Sequence, residues 1–163
     1  MSTTSVDVPA KASSITVKLL VTEYAILKLR PPLSDGDMKF CIELLSLNSN
    51  TTSSKYKGAE KPNVFLASTP QEISVLCPAK ELPAGSPTAW AMDQGWKCFQ
   101  VLGPMPFNLV GVLSLLSSTL CEAGVSLLAQ STFDTDYVFV KEGKVDAAVA
   151  AFVARGVNVS VVA

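Results

Sequence analysis

Residues 103–140 decide the fold, and they read GPMPFNLVGVLSLLSSTLCEAGVSLLAQSTFDTDYVFV. The stretch begins with a Gly-Pro loop, continues through an apolar helical pattern and ends in two strand-like runs joined by short polar residues. An earlier stretch at residues 65–78, FLASTPQEISVLCP, repeats the character of its second half. A duplicated unit with a polar rim favours a binding function over a catalytic one.

The second half of the chain predicts a complete set of elements. Alternating apolar and polar side chains predict a strand at 95–102, which a Gly-Pro pair ends. Asn108 precedes apolar residues spaced by three and four, so we expect a helix that starts there and stops at Gly124. The other predicted elements are strands at 125–132 and 137–141, a helix at 144–155 and a strand at 157–162. This order is that of a ferredoxin-like α+β domain.

The first half of the chain predicts a degenerate copy of the same domain. Its predicted elements are strand material at 15–30 broken near Thr22 and Glu23, a helix at 37–47, and a hairpin of 64–68 with 73–77. Residues 68–69 align with 131–132, and Glu72 aligns with Asp136 after one gap. We interpret the chain as an internal repeat whose first copy has a reduced or missing second helix and last strand.

These patterns predict a domain organisation. It comprises a disordered tail at 1–14, a degenerate domain at 15–82 with a mobile loop at 48–63, a linker at 83–94 and a complete domain at 95–163. The tail lacks the basic start and apolar run of a signal peptide, and no segment has the length of a membrane span. We therefore expect a cytoplasmic protein that does not bind membranes.

Composition excludes several functions. Among 163 residues, 13 are basic and 14 acidic, for a net charge of −1 without a basic run, so nucleic acid is not expected as a partner. The chain contains no histidine, no nucleotide-binding glycine motif and no metal-binding motif. Its four cysteines lie in apolar segments and are predicted to be buried thiols. We expect no metal, no cofactor and no enzyme activity.

Several motifs resemble a known family. FNLxGVL, EAGVS and STFDTDYVFV, preceded by TPxEISV and GWKC, resemble the small tandem-ACT proteins related to the CASTOR amino-acid sensors. The similarity covers residues 15–162 and is strongest over 95–140. It implies two ACT-type domains, the first degenerate, that bind a small ligand such as an amino acid without turning it over. It also implies a homodimer or an ACT-containing partner.

The start of the predicted helix is one half of the candidate ligand site. The amides of Leu109, Val110, Gly111 and Val112 have no intrahelical acceptors and carry the positive end of the helix dipole, which suits a ligand carboxylate. Gly111 either allows a ligand to approach closely or lets the helix pack against a strand.

The hairpin is the other half of the site. Asp136 is predicted to accept hydrogen bonds from a ligand ammonium group, with backbone groups of Thr132 and Phe133 beside it. The resemblance implies that Asp136 is the acidic ligand contact. It also disfavours arginine as the ligand and favours a smaller or apolar amino acid, because the arginine sensors have an acidic residue where Leu109 stands here. Alternatively, Asp134 and Asp136 only form a turn.

Two other functions stay open from the sequence. The chain fits a ligand-free scaffold or regulatory subunit that acts by ACT–ACT pairing. An enzyme using Asp134 and Asp136 as a carboxylate pair is the weaker alternative, because the turn offers them no base or metal partner.

Overall fold

The computed structural model describes residues 15–47, 61–82, 91–103 and 110–161. The elements are β1 (Thr16–Leu29), α1 (Asp35–Ser46), β2 (Phe65–Ser68), β3 (Ile73–Pro78), β4 (Ala91–Leu102), α2 (Val112–Glu122), β5 (Leu128–Ser131), β6 (Asp136–Lys141), α3 (Val145–Ala154) and β7 (Asn158–Val161). The predicted α+β class is confirmed. The predictions for residues 1–14, 48–60 and 83–90 lie outside the described residues.

The chain forms two compact units, and β1 and β4 each contribute to both. The terminal unit consists of Met1–Val21 with Lys97–Ala163, and the central unit is Thr22–Trp96. The domain boundaries predicted from the sequence, 15–82 and 95–163, remain a proposal. They assume that the two copies follow one another along the chain. The contacts in the structure instead group the first strand residues with the second copy.

The terminal unit has the strand order β7-β1-β4-β6-β5. β5 and β6 form an antiparallel hairpin, and β7 pairs in parallel with β1 from Thr16↔Asn158 to Leu19↔Val161. β1 therefore lies between β7 and β4, a placement that was not predicted from the sequence. The apolar faces of α2 and α3 pack on alternate residues of β4 and β6, and the rings of Phe99 and Phe152 meet edge to face with centroids 5.3 Å apart.

The central unit has the strand order β2-β3-β1-β4. β3 is antiparallel to both of its neighbours, β2 and β1. Helix α1 begins with a capping box, in which the Asp37 amide donates to Ser34 Oγ and the Ser34 amide donates to Asp37 Oδ2. One buried core cluster of this unit comprises Leu27, Leu29, Phe40, Cys41, Leu44, Val75 and Cys77.

The two units differ in the described chain that directly follows each hairpin. In both units a single 3-10 turn follows the hairpin, at Ala79–Glu81 and at Glu142–Lys144. The latter continues into α3, whose alanines favour a helix. Leu82 instead adopts an extended backbone, as expected for a residue that precedes proline.

Four predicted boundaries are wrong. β1 runs unbroken through Thr22 and Glu23, where the strand passes from one unit into the other. β4 begins at Ala91 and not at Gly95, because Gly95 sits inside the strand at φ 76° without ending it. The helix predicted to start after Asn108 begins at Val112, and β5 covers only Leu128–Ser131 of the predicted 125–132.

Candidate functional site

The start of α2 differs from the predicted one in its cap. Gly111 occupies the N-cap position with φ 87°, a left-handed conformation that explains a glycine there without reference to a ligand. Its carbonyl accepts from the Leu115 amide at 2.8 Å, which begins the helical bonding. Val110 is 57% exposed, whereas Val112 is buried in the core of the terminal unit. Leu109 lies outside the described residues.

The amides that lack an intrahelical acceptor therefore lie later in the chain than predicted. With the N-cap at Gly111, the first turn comprises Val112, Leu113 and Ser114, whose amides have no carbonyl four residues back within the helix. No side chain caps this end among the residues that the structure describes. Of the four predicted helix-start residues, Gly111 and Val112 are at the helix start, and Val110 precedes it.

The turn between β5 and β6 is closed by threonine. The Thr132 amide and Oγ1 both donate to the Thr135 carbonyl, at 2.9 and 3.0 Å, and the Thr135 amide donates back to Thr132 Oγ1 at 3.3 Å. Phe133 projects from the turn with 77% of its surface exposed. The hydrogen bonds that close this turn are therefore made between Thr132 and Thr135.

Asp136 belongs to β6 and not to the turn. It pairs with Ser131 across the hairpin, and Ser131 Oγ donates to Asp136 Oδ1 at 2.6 Å. A hydroxyl–carboxylate bond of this length fixes the orientation of the carboxylate. An ionised carboxylate can accept about four hydrogen bonds, so this contact leaves capacity for a ligand donor.

One hydrogen bond places the turn relative to the rest of the site. Thr135 Oγ1 donates to the Val101 carbonyl at 2.6 Å, near the end of β4. The chain leaves β4 for α2 just after this point, with Gly103 at φ 103°. The connection that leads to α2 therefore starts beside the turn that precedes Asp136. Ser131 and Thr135 were not predicted as site residues, although the serine and threonines around the turn are visible in the sequence.

The central unit contains the same turn, and it corrects the predicted alignment. The Thr69 amide and Oγ1 donate to the Glu72 carbonyl at 2.9 and 3.1 Å, and Ser68 pairs with Ile73 across the hairpin. Glu72 is thus equivalent to Thr135, and Ile73 to Asp136. The gap that aligned Glu72 with Asp136 is wrong, because both turns have the same length.

Glu72 has a structural role of its own. Its carboxylate accepts from Lys28 Nζ at 2.7 Å and from Ser74 Oγ at 2.9 Å. These two hydrogen bonds, the lysine's foremost, lower the pKa of Glu72 below its ordinary value. Glu72 is therefore an ion-pair residue on the central unit and not a weaker copy of Asp136.

The remaining reactive groups do not extend the site. Cys41, Cys77 and Cys98 are buried as predicted, but Cys121 is exposed on α2, which corrects the expectation for that residue. Burial raises the pKa of Cys77 to about 12, which keeps the thiol protonated. Within the described ranges, no three side chains of His, Cys, Asp or Glu come together in a metal-binding group.

The terminal unit has the element order β4, α2, β5, β6, α3 and β7, which is that of a ferredoxin-like α+β domain. Residues 91–153, which span β4 to α3, match the ACT domain family. No curated protein sequence matches the chain. Among the described residues, no helix combines the length and apolar character needed to cross a membrane.

Solved structures share this fold over nearly the whole chain. A crystal structure of an Agobacterium tumefaciens protein has a TM-score of 0.68 at 21% identity, covering 91% of this chain and 94% of that one. A Vibrio cholerae protein of unknown function has a TM-score of 0.59 at 15% identity, covering 89% and 92%. The ligand-free regulatory subunit of aspartate kinase from Thermus thermophilus has a TM-score of 0.56 at 12% identity, covering 85% and 95%.

Proposed function

We propose that this chain is a non-catalytic regulatory protein of the CASTOR-like type, with two ACT-type domains in tandem, that binds an amino acid. The observation that carries the proposal is the Thr135–Val101 hydrogen bond within the segment that matches the ACT family. It supports a site in which the hairpin and the connection to α2 act together. The homodimer, or pairing with another ACT-containing chain, belongs to the same proposal.

The ligand carboxylate binds at the start of α2. The amides of Gly111 and Val112 and of the residues in the first turn are its donors, and the helix dipole adds to the attraction. Relative to the predicted set, the donors move from Leu109 and Val110 toward Gly111 and Val112, because the helix begins later.

The ligand ammonium group donates to Asp136. Ser131 holds one carboxylate oxygen at 2.6 Å, so the group is oriented before the ligand arrives and loses little freedom on binding. The Thr132 amide is engaged with Thr135, so the other backbone groups of Thr132 and Phe133 are those that we propose beside the ligand. An apolar Leu109 in place of an acidic residue disfavours arginine and favours a smaller or apolar amino acid.

A thermal-shift screen against the common amino acids tests the proposal, with calorimetry on those that score. A ligand that binds only the folded chain stabilises it by about 2.7 kcal/mol at one hundred times its Kd. Asp136→Asn should abolish the shift, whereas Asp134→Asn, the matched change in the neighbouring turn, should preserve it. An absence of stabilisation by every amino acid would refute ligand binding.

A specific observation supports the scaffold as the second candidate. Met38, Ile42 and Leu45 follow one another at helical spacing on α1 and are 47%, 66% and 55% exposed, which makes an apolar stripe. We assign this stripe to pairing with a second copy of the chain. Ile42→Glu should then shift the protein toward monomer in analytical ultracentrifugation, and Lys39→Glu on the same helix should not. A protein that is monomeric before substitution would exclude this pairing.

A further inference from the structure

A concavity of about 290 Å³ lies within the terminal unit, away from the predicted site. Its apolar walls come from Leu19, Val21, Val145 and Val161, on β1, α3 and β7. Leu20 and two charged side chains, Lys97 and Glu142, make up the rest of the lining.

This concavity and the proposed amino-acid site lie near opposite ends of β6 and at separate positions along β4. Along β4, Lys97 lines the concavity, and Val101, further along the strand, accepts the hydrogen bond from the hairpin turn. With a rise of about 3.3 Å per strand residue, these two positions are roughly 13 Å apart. β6 likewise begins at Asp136 and ends just before Glu142. A ligand in the concavity therefore does not contact Asp136.

The walls leave apolar surface uncovered. Val21 is 64% exposed and Val161 is 66% exposed, although both are strand residues with strong preference for burial. β-Branched side chains that stay exposed around a concavity are typical of a binding surface. The occupant must present an apolar body to them.

The polar end of the concavity is built around Lys97. Its Nζ donates to the Val21 carbonyl at 3.2 Å and lies 3.4 Å from Glu142 Oε1. The Lys97 side chain is 20% exposed, and that of Glu142 is 61% exposed. The lysine is therefore held in place by the fold, while the glutamate reaches in from solvent and can be replaced. An ammonium group has three donors, so it can bind a second carboxylate while keeping its bond to Val21.

We propose that this concavity binds a short-chain aliphatic carboxylate, with the carboxylate on Lys97 Nζ and the apolar chain against the valine walls. At roughly 30 Å³ for each water-sized volume, the space holds about ten non-hydrogen atoms. 4-Methylpentanoate, with about eight, fits this volume. Glu142 is the group that the ligand carboxylate displaces. This site is independent of the amino-acid site, since the ligand needs no ammonium group and no contact with Asp136.

The test is a calorimetric titration with 4-methylpentanoate, together with amide chemical shifts from NMR. We expect shifts in residues around Leu19 and Val145, and at least tenfold weaker binding of the uncharged 4-methylpentan-1-ol. Lys97→Met, which keeps the apolar stem, should weaken carboxylate binding at least tenfold, and Lys97→Arg should retain it. Glu142→Gln should bind as tightly as the unchanged chain or severalfold more tightly, because the competing carboxylate is gone.

Two controls keep the outcome interpretable. Val161→Asp places a negative charge on an exposed wall position and should weaken binding without affecting the fold, whatever Lys97→Met does to stability. Asp136→Asn should leave binding unchanged. Equal affinity for the alcohol, unchanged affinity in both Lys97→Met and Val161→Asp, or shifts centred on the start of α2 would overturn the proposal. Amino-acid binding is tested separately by the thermal-shift screen, and neither the Lys97→Met nor the Val161→Asp result decides it.

Discussion

Replacing Thr135 with valine tests how the hairpin is fastened to β4. The change removes the hydroxyl that donates to the Val101 carbonyl at 2.6 Å and keeps a β-branched side chain of nearly the same shape. Val101 is only 3% exposed, so its carbonyl lies in a buried stretch of strand where water is a poor replacement partner. Loss of one partner from a hydrogen bond in such a setting costs about 1–2 kcal/mol.

Urea unfolding followed by far-UV circular dichroism measures this cost. With a slope of about 2 kcal/mol per molar urea, the expected loss lowers the midpoint by roughly 0.5–1 M and leaves the slope unchanged. Ser118→Ala is the matched control: it also removes a hydroxyl that donates to a carbonyl, that of Leu115, but within one helix. Its effect should stay within about 0.5 kcal/mol. Equal midpoints for Thr135→Val and the unchanged chain would refute the fastening role of Thr135.

Three further measurements test the rest of the fold. Phe152→Ala should lower the free energy of unfolding in urea by about 3–5 kcal/mol, because the ring is fully buried. Val153→Ala, a change at the exposed neighbouring residue, should lower it far less. Because the pKa of Glu72 is lower in the folded chain, its ionised form stabilises the fold above the ordinary value of 4.5, and the contribution disappears as pH falls through the lowered folded value. The stability difference between the unchanged chain and Glu72→Gln should therefore be larger at pH 7 than at pH 3, and an equal difference at both would count against the ion pair. In the folded protein at pH 8, a thiol reagent should label the exposed Cys121 and leave the buried Cys77 unlabelled. Mass spectrometry of the digested protein measures the labelling. Rapid labelling of Cys77 would contradict its burial.

The elements set by local signals could be predicted from the sequence. Helix α3 has a regular apolar period, and both hairpins have strand-forming runs around short polar turns, so their type and order were predicted correctly. The start of α2 was not, because Asn108 resembles a helix cap while Gly111, at φ 87°, provides the observed one. A left-handed glycine at a helix start has no distinctive sequence signal beyond the glycine itself.

Features that depend on distant pairing could not be predicted. The placement of β1 between β7 and β4 joins residues from opposite ends of the chain, and no local pattern encodes that neighbour. The pairing of Lys97 with Glu142 is of the same kind. The alignment of Glu72 with Asp136 failed for a different reason: it matched charge, whereas the two turns are equivalent through their threonines and their strand register.

The central claim is that an amino acid bridges the start of α2 and Asp136. A crystal structure of the protein grown with the amino acid that gives the largest thermal shift tests it most directly. We predict electron density between the two, with the ligand carboxylate on the amides of Gly111 and Val112 and its ammonium group on the Asp136 carboxylate beside Ser131. The same amino acid bound with neither group in contact with these residues would contradict the claim.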